Sequence, residues 1–283
     1  MDFLSLDSVD EALEKLSVLG GDATMVAGGT AVRYQITSGQ ITPKAALHIE
    51  RLDELRGISR NGATRIGALT SLREIAEDGD IGGRFASIAA AAGKCGGWQT
   101  QSIATIGGNI CGAAPNADLI PPLLVQDAEI ELASKARGNR ILPLGEFLAD
   151  AYKIARDGDE LATAIQLPAQ PEGSADIYVR IQRRSAMERP IIGLALRLAL
   201  DGDHVAEARI AVCGAGPTAF RATEAEALLA GQMPGGDALA AATAALMKRA
   251  TFRDDARASA SYRKAVLPRA LAHAVATCRE TIG

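Results

Sequence analysis

Apolar residues fall at helical spacing over 8–19, at Val9, Leu13, Leu16 and Leu19, and predict an opening helix. Ser8 and Glu11 have the spacing of a capping box at its start. A short apolar run at 23–27 (ATMVA) predicts a buried strand leading straight into Gly28-Gly29-Thr30. A helix over 31–37 and a second short strand over 45–49 follow, so residues 1–55 read as a small α/β lobe. The pattern then predicts a strand at 64–67, a helix at 71–77 and an Ala-rich helix at 85–93. Residues 101–124 read as loop, with two prolines near the end. Runs at 129–132 and 140–142 flank Gly138-Asn139 and predict a hairpin, and 161–167 predicts a further strand. The Pro- and Gly-rich stretch 168–176 (PAQPEGSAD) marks a domain boundary or a crossover. Beyond it come strands at 177–182, 191–200 and 205–213, the last two joined by Asp201-Gly202-Asp203. Helices at 221–230, 237–249 and 262–278 close the chain, and strands followed by helices predict an α+β domain. The expected organisation is a two-lobed domain over 1–171 (lobes 1–55 and 56–171) and a second domain over 172–283.

Composition narrows the classes. The chain has 283 residues, 48% of them hydrophobic and 23% charged, enough to bury a sizeable core. With a net charge of −4 and no run of Lys and Arg, a nucleic-acid footprint is not expected. The longest apolar stretch, 191–200, is short for a bilayer and contains Arg197, so no integral membrane segment is expected. The acidic, amphipathic N-terminus does not read as a secretory signal. Cys95, Cys111, Cys213 and Cys278 form no CxxC pair and no metal-ligand spacing, which fits free thiols, no metal site and a cytoplasmic location.

Two segments could carry chemistry. In Met25–Val32 (MVAGGTAV) a strand meets two glycines and then a helix, and such a turn can bring exposed amides close to phosphate. It is neither GxGxxG nor a P-loop, and a plain strand-to-helix turn explains it as readily. The second segment is Thr105–Asn109 (TIGGN), followed by Ala114–Asp118 (APNAD), where Asp118 can accept from a hydroxyl or ring N–H. Together the two glycine pairs suggest two walls of one dinucleotide cradle. The acid–base inventory is thin. His48, His204 and His273 are isolated, and Ser102 and Ser185 have no nucleophile elbow. Trp98, the only tryptophan, is expected in the core. A cradle without an acid–base set points to chemistry carried by a cofactor and to no catalytic side chain.

In order and spacing, the two glycine motifs resemble the FAD-binding subunit of molybdenum hydroxylases, the family of the carbon monoxide dehydrogenase medium subunit and the xanthine dehydrogenase flavin domain. AGGTAV at 27–32 is similar to the family's first flavin loop, and ATIGGNICGAAPNADLIPPLL at 104–124 to its second. DELATAIQLP at 159–168, YVRIQRR at 178–184 and ARIAVCGAGPTAFRATEAEALLAG at 208–231 extend the resemblance over nearly the whole chain. It implies a small α/β lobe and a larger α+β lobe that clasp FAD, with a C-terminal α+β domain alongside. Ala27, Gly28, Gly29, Thr30, Ala31 and Val32 would hold the pyrophosphate through backbone N–H groups. Thr105, Ile106, Gly107, Gly108 and Asn109 would do the same from the opposite lobe. Asp118 matches a flavin-contacting acid, Arg180 stands where the family has Lys near the isoalloxazine, and Tyr178 walls the flavin. Ala31 and Thr100-Gln101-Ser102 depart from the family pattern, and no four-cysteine insert is present.

The implied role is electron transfer. FAD, held non-covalently, takes electrons from two 2Fe–2S clusters of a small partner subunit and delivers them to an external acceptor. A large partner carries the molybdenum cofactor, and the assembly is a dimer of heterotrimers. Three other readings compete: a nicotinamide dehydrogenase, a non-catalytic nucleotide-sensing or assembly protein, and a flavoenzyme linked covalently through Cys111. The first lacks the third glycine of its fingerprint.

Overall fold

The computed structural model describes residues 1–185 and 187–283, which form two compact units. The first comprises Met1–Glu74, Trp98–Ala113 and Ala128–Pro168; the second comprises Ile75–Gly97, Ala114–Asp127 and Ala169–Gly283.

The first unit holds a three-stranded parallel sheet with Ala45–His48 between Asp2–Ser5 and Ala23–Val26. Asp2–Ser5 has no pattern of its own and becomes a strand by pairing residue for residue with Ala45–His48. Helix Val9–Leu19 begins as expected: the Ser8 hydroxyl accepts from the Glu11 amide (3.2 Å), and the Glu11 carboxylate accepts from the Asp7 amide (3.0 Å). Its Ala12 and Leu16 join Leu6, Leu47, Leu52 and Leu161 in one core. The same unit holds a five-stranded antiparallel sheet in the order Ile58–Ser59, Thr64–Gly67, Glu160–Leu167, Glu129–Ser134, Gly138–Pro143. The hairpin turn lies at 135–137 rather than at Gly138-Asn139. Gly138, at φ +73°, already pairs with Ser134 and supplies the left-handed residue that the turn needs.

The loop expected over 101–124 contains three six-residue helices, Trp98–Ile103, Ile106–Cys111 and Ile120–Val125. Each is under two turns, too short to show a period. Thr105 caps the second, and Pro121 and Pro122 sit at the start of the third, where a missing N–H does no harm. Trp98 is 61% exposed, not in the core, with the Arg73 guanidinium 5.5 Å from its ring centroid.

The second unit is built on an antiparallel sheet of Ser174–Ile181, Ile192–Asp201, His204–Cys213 and Phe220–Arg221. Its first strand starts inside the stretch read as a boundary, and the last helix-like start at 221 belongs instead to a short strand, with helix Thr223–Leu229 after it. Ile192, Leu194, Leu196 and Leu198 face the helices Thr223–Leu229, Gly236–Arg249 and Ala260–Ile282. Arg197, between them, turns to the other face, where it meets Gln126 (3.2 Å) and Asp127 (3.1 Å). A strand buried on both faces is apolar except where a polar side chain finds a buried partner, as Arg197 does, which explains the run IIGLALRLAL.

Asp127, at φ +50°, also pairs with Arg221 (2.7 Å) and Arg209 (3.3 Å). Burial alone would raise its carboxyl, but the Arg221 hydrogen bond and the charges of Arg221, Arg209 and Arg197 outweigh this and hold it below the ordinary range. Its contribution to stability is therefore complete above about pH 4, the unfolded value, and is lost as pH falls through the lower folded value. Asp127→Asn should lower the urea midpoint at pH 6 and flatten the midpoint's fall between about pH 5 and 3. An unchanged slope would remove Asp127 from the acid response.

Candidate functional site

The expected site residues fall in two groups, one in each unit. In the first unit, strand Ala23–Val26 ends in residues 27–31, which lead into helix Val32–Thr37. Gly29 has φ +69°, which a side chain disfavours. At Gly28 a Cβ would lie 1.6 Å from the carbonyl oxygen of Ile103, so only glycine lets the two backbones meet. This contact brings the first glycine segment against the residues just before the second. Among the described residues, the amides of Gly28, Gly29, Thr30, Ala31 and Val32 have no hydrogen-bond partner. Gly28, Gly29, Thr30 and Val32 line a cleft of about 720 Å³, together with Val26, Phe3, Tyr34 and Ile103. Unpaired consecutive amides beside a cleft favour an anion.

The second segment departs from expectation, because its amides are already used. Ile106 N–H donates to Thr70 (3.1 Å), Gly107 N–H to Ala68 (2.9 Å) and Asn109 N–H to Thr105 (3.0 Å). Gly108 N–H donates to the Thr105 hydroxyl (3.1 Å). The glycines serve packing here: a Cβ on Gly107 would lie 2.8 Å from the Ala68 carbonyl. Both glycine segments fall in the first unit.

Asp118, Tyr178 and Arg180 come together in the second unit. Tyr178 and Arg180 alternate onto one face of strand Ser174–Ile181, and Asp118 arrives two residues ahead of helix Ile120–Val125. One Asp118 oxygen accepts from the Tyr178 hydroxyl (2.8 Å) and from Arg180 Nε (2.6 Å). Arg180 Nη2 donates to the Glu188 carbonyl, and the side chains of Arg180 and Asp118 are only 1% and 4% exposed. Burial pushes the Asp118 carboxyl up, while the Arg180 and Tyr178 hydrogen bonds pull it back. Burial and the neighbouring Asp118 push the Tyr178 hydroxyl well up, so it remains a donor. Three groups are thus locked into one orientation, with Asp118 holding the other two.

Gly193 was not singled out in the sequence, yet a Cβ there would lie 2.4 Å from the Tyr178 hydroxyl and 2.8 Å from Cys213 Sγ. A lone glycine inside an apolar strand run is the signal that could have found it. Cys111 ends helix Ile106–Cys111, and burial pushes its thiol up to about 11. Such a thiol is a weak nucleophile at neutral pH, which argues against a covalent link. Among the described residues no cluster suits a metal ion, and no helix is long and apolar enough to cross a membrane.

Comparisons with known proteins cover the whole arrangement. Residues 1–170 match the family described as FAD binding domain in molybdopterin dehydrogenase. Residues 177–277 match the CO dehydrogenase flavoprotein C-terminal domain. The chain is 34% identical over 232 residues to the xanthine dehydrogenase FAD-binding subunit of Escherichia coli O157:H7, covering 80% of this chain and 78% of that one. It is 29% identical over 276 residues to the carbon monoxide dehydrogenase medium chain of Hydrogenophaga pseudoflava, covering 96% of each. A solved structure of the Hydrogenophaga pseudoflava carbon monoxide dehydrogenase, in a form lacking the Mo-pyranopterin moiety of its molybdenum cofactor, matches with a TM-score of 0.94 at 27% identity. That match covers 99% of this chain and 97% of the other.

Proposed function

The chain belongs to the FAD-binding medium subunits of the molybdenum hydroxylases, and from that premise we propose that it is the electron-transfer subunit of such an enzyme. The observation that carries this is the first glycine loop, a run of five unpaired amides of which four belong to residues lining an open cleft. When bound, FAD supplies a two-electron store that exchanges electrons singly or in pairs. Gly28 to Val32 hold its diphosphate through their amides. Thr105–Asn109 supports this loop from behind, by fixing the backbone around Ile103 against residues 68–70. In the second unit Asp118 holds the Tyr178 hydroxyl and the Arg180 guanidinium in one orientation. No side chain is asked to move a proton. Electrons come from 2Fe–2S clusters of a small partner, a large partner carries the molybdenum cofactor, and an external acceptor takes the electrons away. The complex is a cytoplasmic dimer of heterotrimers.

The test is an absorption spectrum of the purified protein before and after acid precipitation. Flavin bands near about 370 and 450 nm, released to the supernatant as FAD, are the expected outcome. A colourless protein that takes up no added FAD would favour a nucleotide-sensing or assembly role instead. Yellow colour kept in the pellet would mean a covalent link and implicate Cys111.

A further inference from the structure

We propose that Arg33 is a further diphosphate-binding residue of this chain, its guanidinium supplying the positive charge that the glycine loop lacks. The inference rests on the FAD reading and assigns a side chain to a task given above only to backbone. Arg33 lies in the first turn of helix Val32–Thr37, directly after the run of unpaired amides, and its own N–H returns to the Gly29 carbonyl (3.3 Å). It lines the same cleft as Gly28, Gly29 and Thr30. Every other side chain lining that cleft is uncharged, and no carboxylate is among them. Arg33 is exposed and, among the described residues, makes no ion pair. Ala31 adds nothing beyond its Cβ that could compete for the guanidinium.

These placements set an uncommitted guanidinium beside a run of uncommitted N–H groups. Arginines held for structure in this protein are paired: Arg180 with Asp118, Arg197 with Asp127 and Glu207, Arg221 with Asp127 and Glu226. Amides alone hold a diphosphate with partial charges, whereas a guanidinium offers a planar fork that matches phosphate oxygens two at a time.

The test uses the full chain freed of flavin and titrated with FAD, following the quenching of flavin fluorescence. Arg33→Ala and Arg33→Gln should each weaken FAD binding about tenfold, the worth of one charge-assisted hydrogen bond. Arg33→Lys should recover most of the loss, because it keeps the charge. Raising salt should weaken the parent more than Arg33→Gln. Thermal unfolding of the flavin-free variants should match the parent, since the side chain is exposed. Glutamine binding as tightly as arginine would overturn the proposal while leaving the FAD reading intact. A lower flavin-free midpoint in the alanine variant would make the lost affinity structural and overturn it as well. If the parent itself takes up no FAD, both readings fall, and that is seen before any variant is made.

Discussion

Gly28→Ala is expected to destabilise the first unit by about 3 kcal/mol and to strip the protein of flavin. The new methyl would lie 1.6 Å from the Ile103 carbonyl oxygen and 2.5 Å from its carbon. Both are backbone atoms at the end of helix Trp98–Ile103, so no side chain can swing away. Either the loop lifts, which displaces the five amides, or the segment around Ile103 moves and pulls on Thr105–Asn109, which is bonded to residues 68–70. Gly29→Ala provides the contrast. Nothing lies nearer than 3.9 Å to its Cβ, and only its φ of +69° resists substitution, at about 1 kcal/mol. The measurements are the urea midpoint and the ratio of flavin to protein absorbance for both variants. Equal behaviour of the two would show that close approach to Ile103 does not shape the loop.

Asp118→Ala is expected to cost about 3–5 kcal/mol, because it leaves Arg180 as a charge without its partner at a site only 1% exposed. The Tyr178 hydroxyl loses its acceptor in the same step. Asp118→Asn keeps an acceptor for Tyr178 but not the charge, and should fall between parent and alanine. Combining Asp118→Ala with Arg180→Met should recover much of the loss, since an apolar side chain carries no unmet charge. Chemical unfolding of the parent, Asp118→Ala, Arg180→Met and their double variant forms a double-mutant cycle. Strict additivity would sink the claim that these two side chains act as a pair. Flavin retention should follow the same order, because this carboxylate orients both the Tyr178 hydroxyl and Arg180.

Strong periodicity was readable from the chain. Helix Val9–Leu19, strands Ala23–Val26 and Ala45–His48, and the hairpin of Ile192–Asp201 with His204–Cys213 all lie within a few residues of their expected places. Each carries its signal locally, as a cap, an apolar run or a two-residue turn at Gly202-Asp203. Elements without a local signal were not legible. Asp2–Ser5 is a strand only because a partner lies beside it, and three six-residue helices hide in a stretch rich in glycine and proline. Trp98 is exposed over Arg73, although size and apolarity alone favour burial.

The candidate site divides in the same way. AGGTAV and TIGGN are local words, and they sufficed for the family, the α+β class and FAD as the cofactor. They also made the two glycine pairs look alike. In the folded chain one pair leaves its amides free and the other spends them on residues 68–70 and Thr105. Likewise Asp118 looked like a free acceptor, but Tyr178 and Arg180, some sixty residues away, occupy it. Whether an N–H or a carboxylate is available depends on which distant groups reach it first. Those partners arrive only when sheets and helices pack, so local order can name the residues of a site while tertiary contact decides which of their atoms remain free to bind.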